Sequence, residues 1–381
     1  MGLGGVVRIG IDGTFGSRTV TGMERYATSL CASLRRAKTQ HEFIALCPQL
    51  PPVLETRLRP RVKRFLAEQY YIGAAAARAN VDLVFFPAFP PGPFLSHPFA
   101  MMVYDAVSWL YRDTMGLLGR CYLAPSVRHA ARRARVILTI SHSVKNELAA
   151  LLPRPEEEIV YVGAGVDAPP APCEPAQRDE ALSRLGLARP FLLAVGSLEP
   201  RKNYPALFRA IQLVFDRSDV QLAVAGRWAW GSEEVRRLVA GAGNRIRILG
   251  YVSDADLAIL YDAAEGCLQP SVYEGLGLPV LEALSHGLPV IANDIAVFRE
   301  IGPDRVHLVD FRDPVQVSQR VLWLLENPEE RARIKASALS FARELTWDAA
   351  AARCIGAFDR LEGLGAVGRG ANGRRERQRA A

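Results

Sequence analysis

The sequence predicts an α/β protein with two doubly wound parallel-sheet domains. Three observations carry this expectation. Short apolar runs alternate with helical stretches along most of the chain, the pattern of a parallel sheet with crossover helices. A proline-rich stretch without periodicity, Gly165 to Gln177, interrupts the series and reads as a linker. The length of 381 residues suits two domains of ordinary size. Two such domains imply a cleft, with ligands at the carboxyl ends of the strands.

The elements follow in order. Val6 to Asp12 reads as the first strand, followed by a loop rich in Gly and Thr, and Glu24 to Arg36 has helical periodicity. Phe43 to Cys47, Leu83 to Pro87, Ala100 to Tyr104 and Val136 to Ser141 are the next strand candidates. Beyond the linker come Phe191 to Gly196, Gln221 to Gly226, Ile246 to Leu249, Gly266 to Gln269, Pro289 to Ala292 and Val306 to Val309. Trp347 to Leu361 reads as a final helix, and the Gly- and Arg-rich residues 369–381 as a disordered basic tail. The expected domains are therefore 1–170 and 171–345, with a closing helix at 346–364 and a tail at 365–381.

Composition narrows the class. Hydrophobic residues make up 49% and charged residues 23%, the balance of a soluble globular protein. No run reaches the roughly 18 apolar residues of a membrane helix, and the first residues lead straight into a strand rather than forming a signal peptide. Six scattered cysteines without a C-x-x-C pair fit reduced thiols in the cytosol. The net charge of +7 is uneven: residues 1–172 hold 20 Lys and Arg against 13 Asp and Glu. Five cations fall between Arg57 and Arg64, either a solvated face or an attraction to an anionic membrane or a lipid diphosphate. Nucleic acid is not expected, because no aromatic interleaving or binding motif accompanies the charge.

One segment carries most of the functional information. Gln269 to Ala292 places Glu274 and Glu282 eight apart around a glycine-rich turn that opens a helix. Pro279 suits the first helical turn, Gly287 the position just past the last one, and Pro289 blocks continuation. Gly275, Leu276, Gly277 and Leu278 thus approach a helix N-terminus, where unpaired N–H groups and the dipole favour an anion. A phosphate there, with two carboxylates accepting from sugar and ribose hydroxyls, describes a nucleotide-sugar pocket. A second motif, Leu193 to Asn203, is a strand ending in Gly196 and Ser197, then a turn with Arg201 and Lys202. Arg201 can fork onto two phosphate oxygens and Lys202 adds a compact charge.

The Glu-x7-Glu pattern within E-G-L-G-L-P-V-L-E-A resembles the signature of the retaining family 4 glycosyltransferases, and L-E-P-R-K-N the variant common among mannosyltransferase-like members of O-antigen and exopolysaccharide pathways. The resemblance spans residues 6–362 and is strongest over 190–300. It implies the GT-B fold: two Rossmann-like domains facing across a cleft, with the last helix returning to the first. It implies that Arg201 and Lys202 grip the donor diphosphate, that Glu274 belongs to the catalytic set, and that Glu282 binds the donor ribose. Asp12 to Tyr26 resembles the family's first loop, where Gly22 brings backbone close to the diphosphate, although helix capping alone explains that glycine equally well. Met101 to Trp109 resembles the strand that ends in His-Asp, with Tyr104 in place of the histidine. A tyrosine donates one hydrogen bond but is no base near neutrality. Asp105 then orients an acceptor hydroxyl or caps a helix. The family pattern also extends to Ile140–Lys145, with Ser141 or Ser143 as a cap and Lys145 as a phosphate candidate, to Tyr161–Asp167, a structural junction, and to Ala225–Glu234, whose tryptophans pack on the nucleotide base or cover the loop.

The activity so implied is metal-independent transfer of a hexose, best matched by mannose from GDP-mannose, to a hydroxyl of a lipid-linked or oligosaccharide acceptor. The enzyme would be cytoplasmic, at the inner face of the membrane. Asp254 and Asp256 have the spacing of a metal-binding D-x-D, but the helix that follows makes them a cap and a first-turn acid. Two other readings stay open: an epimerase or phosphorylase on the same fold, and a non-catalytic scaffold of a polysaccharide assembly complex, which Tyr104 favours.

Overall fold

The computed structural model describes residues 6–15, 22–48, 50, 62–63, 66–167, 169, 174–230 and 233–361. They fall into two compact units, one running to Gly165 and resuming at Thr346, the other spanning Val166–Leu345. Each holds one six-stranded sheet in which every pairing is parallel.

In the first unit the strands are β1 (Arg8–Asp12), β2 (Glu42–Leu46), β3 (Leu83–Phe86), β4 (Phe99–Val103), β5 (Val136–Thr139) and β6 (Ile159–Tyr161), in the order β2-β1-β3-β4-β5-β6. Every residue of β3, β4 and β5 is buried, which is why they read as continuous apolar runs: helices cover both faces. β6 went unrecognised in the sequence. It has three residues directly after an acidic turn, Glu156–Glu158, too few to display a period. The helix Gly22–Arg36 buries Tyr26, Ala27, Leu30, Cys31 and Leu34, one stripe at helical spacing. The final helix, Trp347–Asp359, packs on it and is capped by Thr346, whose hydroxyl accepts from the Ala349 amide at 3.1 Å. Trp347 meets Tyr26 edge-on at 5.1 Å and Phe358 meets Phe85 at 5.6 Å. Truncating Phe358, buried at 1% exposure, would cost about 3–5 kcal/mol.

In the second unit the strands are β7 (Phe191–Val195), β8 (Gln221–Ala225), β9 (Ile246–Gly250), β10 (Gly266–Gln269), β11 (Val290–Asn293) and β12 (Val306–Val309), ordered β12-β11-β10-β7-β8-β9. The chain winds outward from β7 to β9, returns to the far side of β7 at β10, and winds outward again. β7 and β10 therefore flank the topological switch point, the place where ligands of such sheets bind, outside the carboxyl ends of the strands. The core joins Leu192, Ala194, Leu222, Val224, Leu268 and Ile291 of the sheet to Leu207, Phe208, Ile211, Val321 and Leu324 of the helices. The ends of β7 and β8 touch so closely that a Cβ on Gly226 would lie 1.8 Å from the Gly196 carbonyl oxygen. The helix Pro175–Arg184 begins inside the stretch read as a linker, of which 168 and 170–173 lie outside the described residues. Among the described residues no helix is long and apolar enough to cross a membrane.

Candidate active site

The loop after β7 is built stiffly. The Gly196 and Leu198 amides bond to the Ala225 and Arg227 carbonyls at 3.0 and 2.9 Å, extending the ladder past the strand. A short 3₁₀ turn, Pro200–Lys202, follows and is stopped by Asn203 in the left-handed region. The helix Tyr204–Phe215 then starts, and the buried Tyr204 hydroxyl donates back to the Gly196 carbonyl at 2.7 Å. The loop is also tied to the one after β10. The Val272 amide donates to the Arg201 carbonyl at 3.0 Å, and Asn203 Nδ2 to the Pro270 carbonyl at 3.3 Å.

Glu274 locks the two loops together. Lys202 Nζ lies 2.5 Å from its Oε1 and Arg201 Nη1 3.1 Å from its Oε2. Ser271 Oγ and Gln269 Nε2, both from buried residues, donate to Oε1 at 2.7 and 3.1 Å. Arg201 also donates to the Tyr273 carbonyl and to Glu199 Oε1, each at 2.8 Å. Burial by itself would raise the Glu274 carboxyl, but Lys202 and then Arg201 outweigh it and hold the group down at about 2. Two cations and two carboxylates thus balance, and Glu274 takes only one of the three donors of Lys202. The arrangement fixes a guanidinium and an ammonium at the carboxyl ends of β7 and β10.

Beside them a helix begins. Gly277 has φ of 81° and caps the helix Leu278–Ser285, with Pro279 in its first turn. A side chain there would be strained by that φ and would meet the Phe298 ring at 2.5 Å. In its first turn Pro279 carries no N–H and the Val280 and Leu281 amides bond to the Gly277 carbonyl at 2.8 and 3.2 Å, so it is the backbone leading into the turn, with the dipole, that favours an anion near Gly275–Leu278. Gly287, φ 68°, closes the helix as expected, with the Leu288 amide on the Ala283 carbonyl at 2.9 Å. Glu282 lies in this helix, half-buried, and accepts from the Tyr261 hydroxyl at 2.9 Å. Burial, and after it the Glu282 charge, pushes the Cys267 thiol of β10 up to about 12.

Of the residues singled out in the sequence, Arg201, Lys202 and Glu274 are brought together, with Gly275, Leu276, Gly277 and Leu278 following Glu274 in the chain. Ser197 is exposed after β7, and its carbonyl accepts from the Glu199 amide at 2.9 Å. Gly22 and Asp105 belong to the first unit. Gly22 is the exposed first residue of its helix. Asp105 Oδ1 accepts from the Val107 amide at 3.0 Å, at the start of the short helix Val107–Leu110. Tyr104 is buried, donates to the Pro87 carbonyl, and meets Tyr26 edge-on at 5.3 Å. Burial raises its hydroxyl well above the usual tyrosine range, so it takes no proton near neutrality.

Local motifs resolve as caps or pairs. Ser141 caps the helix His142–Leu151, and Lys145 pairs with Glu156 at 2.8 Å. Ser253 caps the helix Asp254–Ala263, and Asp256 pairs with Arg184 at 2.6 Å. The Arg236 guanidinium stacks 4.3 Å over Trp228. Most of Arg57–Arg64 and all of the basic tail lie outside the described residues. Sequence reasoning missed Glu199, Gln269, Ser271 and Tyr261. Gln269 and Ser271 carried one signal, polar residues ending a buried strand.

The comparisons agree with this fold. The family model for glycosyl transferases group 1 matches residues 177–340, and that for Glycosyltransferase Family 4 matches residues 20–168. The chain is 32% identical over 246 residues to the O-antigen chain mannosyltransferase B of Escherichia coli, covering 63% of this chain and 64% of that one. It is 27% identical over 236 residues to the serotype-specific mannosyltransferase WbdA of Escherichia coli, covering 59% of this chain and 29% of that one. The match thus spans less than two thirds of either relative. The crystal structure of Anabaena Alr3699/HepE in complex with UDP and glucose superposes with a TM-score of 0.70 at 18% identity, covering 93% of this chain and all of that one. The chain thus carries a Glycosyltransferase Family 4 domain followed by a glycosyl transferases group 1 domain, on a GT-B fold.

Proposed function

We propose that this chain is a retaining glycosyltransferase that moves a hexose from a nucleotide sugar to a hydroxyl of a lipid-linked or oligosaccharide acceptor in cell-surface polysaccharide synthesis. The observation that carries the reading is the clamp of Glu274 on Arg201 and Lys202 at the switch point, beside the N-terminus of the helix Leu278–Ser285. Such a site suits a diphosphate whose negative charge grows as the sugar leaves. In the proposed step the bond from the anomeric carbon to the diphosphate oxygen breaks. The acceptor oxygen bonds to that carbon on the same face, and its proton passes to the departing phosphate oxygen. Arg201, Lys202 and the amides near Gly275–Leu278 stabilise the leaving group, Glu282 accepts from the ribose, and Asp105 orients the acceptor hydroxyl.

Mannose from GDP-mannose is the preferred donor of this reading, supported by the names of the two mannosyltransferase relatives. Transfer is proposed not to need a metal, since two cations and a helix terminus supply the positive charge; EDTA should leave activity intact. The proposed setting is the cytoplasmic face of an anionic membrane. The cationic excess of residues 1–172 and the exposed Phe94, Leu117 and Leu118 support it, and salt-sensitive binding to anionic vesicles tests it. The buried Tyr104 favours a second reading, a non-catalytic scaffold. Release of GDP from GDP-mannose, measured with and without a lipid-linked glycan acceptor, separates the two. Acceptor-dependent release supports the enzyme, and no release from any nucleotide sugar supports the scaffold.

A further inference from the structure

Glu282 does not hold its own orientation. It lies on the helix Leu278–Ser285, and the neighbouring helix Asp254–Ala263 reaches across to it. Tyr261, 3% exposed, donates its hydroxyl to Glu282 Oε2 at 2.9 Å and approaches the Pro279 carbonyl at 3.4 Å. One turn beyond Glu282, His286 stacks on the Tyr261 ring at 5.3 Å between centroids and 30° between planes. His286 Nδ1 is in turn held by Asp262 Oδ1 at 2.6 Å. The contacts form a two-by-two clamp: Tyr261 and Asp262, adjacent on one helix, grip Glu282 and His286, four apart and so on one face of the other. A glutamate free to turn about its side-chain bonds would lose that freedom on binding a diol. Here the Tyr261 hydroxyl already holds one carboxylate oxygen, which restricts how the group can turn.

We propose that Tyr261 is a positioning residue that presents the Glu282 carboxylate to vicinal hydroxyls of the nucleotide ribose, with the Asp262–His286 pair bracing the tyrosine ring. This rests on the reading of Glu282 as the ribose residue. Tyr261→Phe removes only the hydroxyl. The test is calorimetric titration of the full chain with GDP and UDP, and with the 2′,3′-dideoxy analogue of whichever binds. The parent should prefer the ribose form about tenfold or more, and Glu282→Ala should erase that preference. Tyr261→Phe should cut it by about three- to tenfold while leaving dideoxy affinity within about twofold. A purely structural role would lower both affinities together and leave their ratio unchanged. Asp262 is exposed, so Asp262→Asn serves should Tyr261→Phe not fold, with a smaller fall in the ratio expected. The parental ratio in either folded variant, with Glu282→Ala lacking it, overturns the inference and spares the reading of Glu282. A preference that survives Glu282→Ala overturns both. No binding of any nucleoside diphosphate by the folded parent overturns the diphosphate site itself.

Discussion

The same kind of parallel sheet ends differently in the two units. At the switch point of the second unit the strand ends carry charge: Arg201 and Lys202 on one loop, Glu274 on the other, joined at 2.5–3.1 Å. In the first unit buried aromatic rings make the ties among the described residues. Tyr104 after β4 donates to the Pro87 carbonyl after β3, Tyr26 donates to the Gly163 carbonyl, and the two rings meet edge-on. Both devices tie neighbouring segments; of the two, the charged one leaves groups suited to a phosphate. The fold supplies the strand ends; the residues on and after them decide what can bind there.

Removing the charge should have the greatest consequence. Arg201→Ala with Lys202→Ala should lower donor turnover by about a hundredfold or more. Activity within a few-fold of the parent would place the phosphate site elsewhere. Next comes the carboxylate that holds them. Glu274→Ala leaves two partly buried cations without their shared partner, and should destabilise the second unit by about 3–5 kcal/mol. The linked pH dependence has a definite sign. The carboxyl is held at about 2 in the folded protein against 4.5 ordinarily. Its stabilisation is therefore complete above about pH 4.5 and lost as pH falls toward 2, on the order of 3 kcal/mol in all. Urea unfolding at pH 6 and pH 3 checks this: the parent should lose stability over the window and Glu274→Gln should lose less. Equal losses would mean the clamp is not charged as described.

Smaller effects sharpen the contrast. Glu282→Ala should weaken donor binding by about 1.5–3 kcal/mol and slow saturated turnover less, since one bond to a charged acceptor is lost; unchanged donor affinity would remove it from the site. Tyr104→Phe should cost about 1 kcal/mol of stability and leave donor affinity as it was. A fall in affinity as large as that of Glu282→Ala would show that the first unit's aromatic tie also serves the donor.

How legible each part was in the sequence follows from range. Strands buried on both faces announce themselves as runs in the sequence: Gly266–Gln269 has the expected bounds, and Leu83–Phe86 ends one residue early because pairing, not composition, sets the end. β6 was hidden by its three residues. Caps were legible because their partners are local: Ser253 reaches the Asp256 amide three residues on. Arg201, Lys202 and Glu274 were legible as motif residues, but not as partners. The bond from Lys202 to Glu274 joins residues 72 apart, and only the adjacency of β7 and β10 makes it. Tyr261 gave no signal because its meaning lies in a helix 21 residues further on.

If Arg201 and Lys202 read the second phosphate of the donor, a titration that sets diphosphate against monophosphate will show it. Parent and Arg201→Ala/Lys202→Ala protein would each be titrated with GDP and GMP, or with UDP and UMP if the guanine nucleotides do not bind. The parent should prefer the diphosphate by about tenfold or more, and the variant should lose that preference while keeping its affinity for the monophosphate. A variant that still prefers the diphosphate as strongly as the parent would mean that other residues hold the second phosphate.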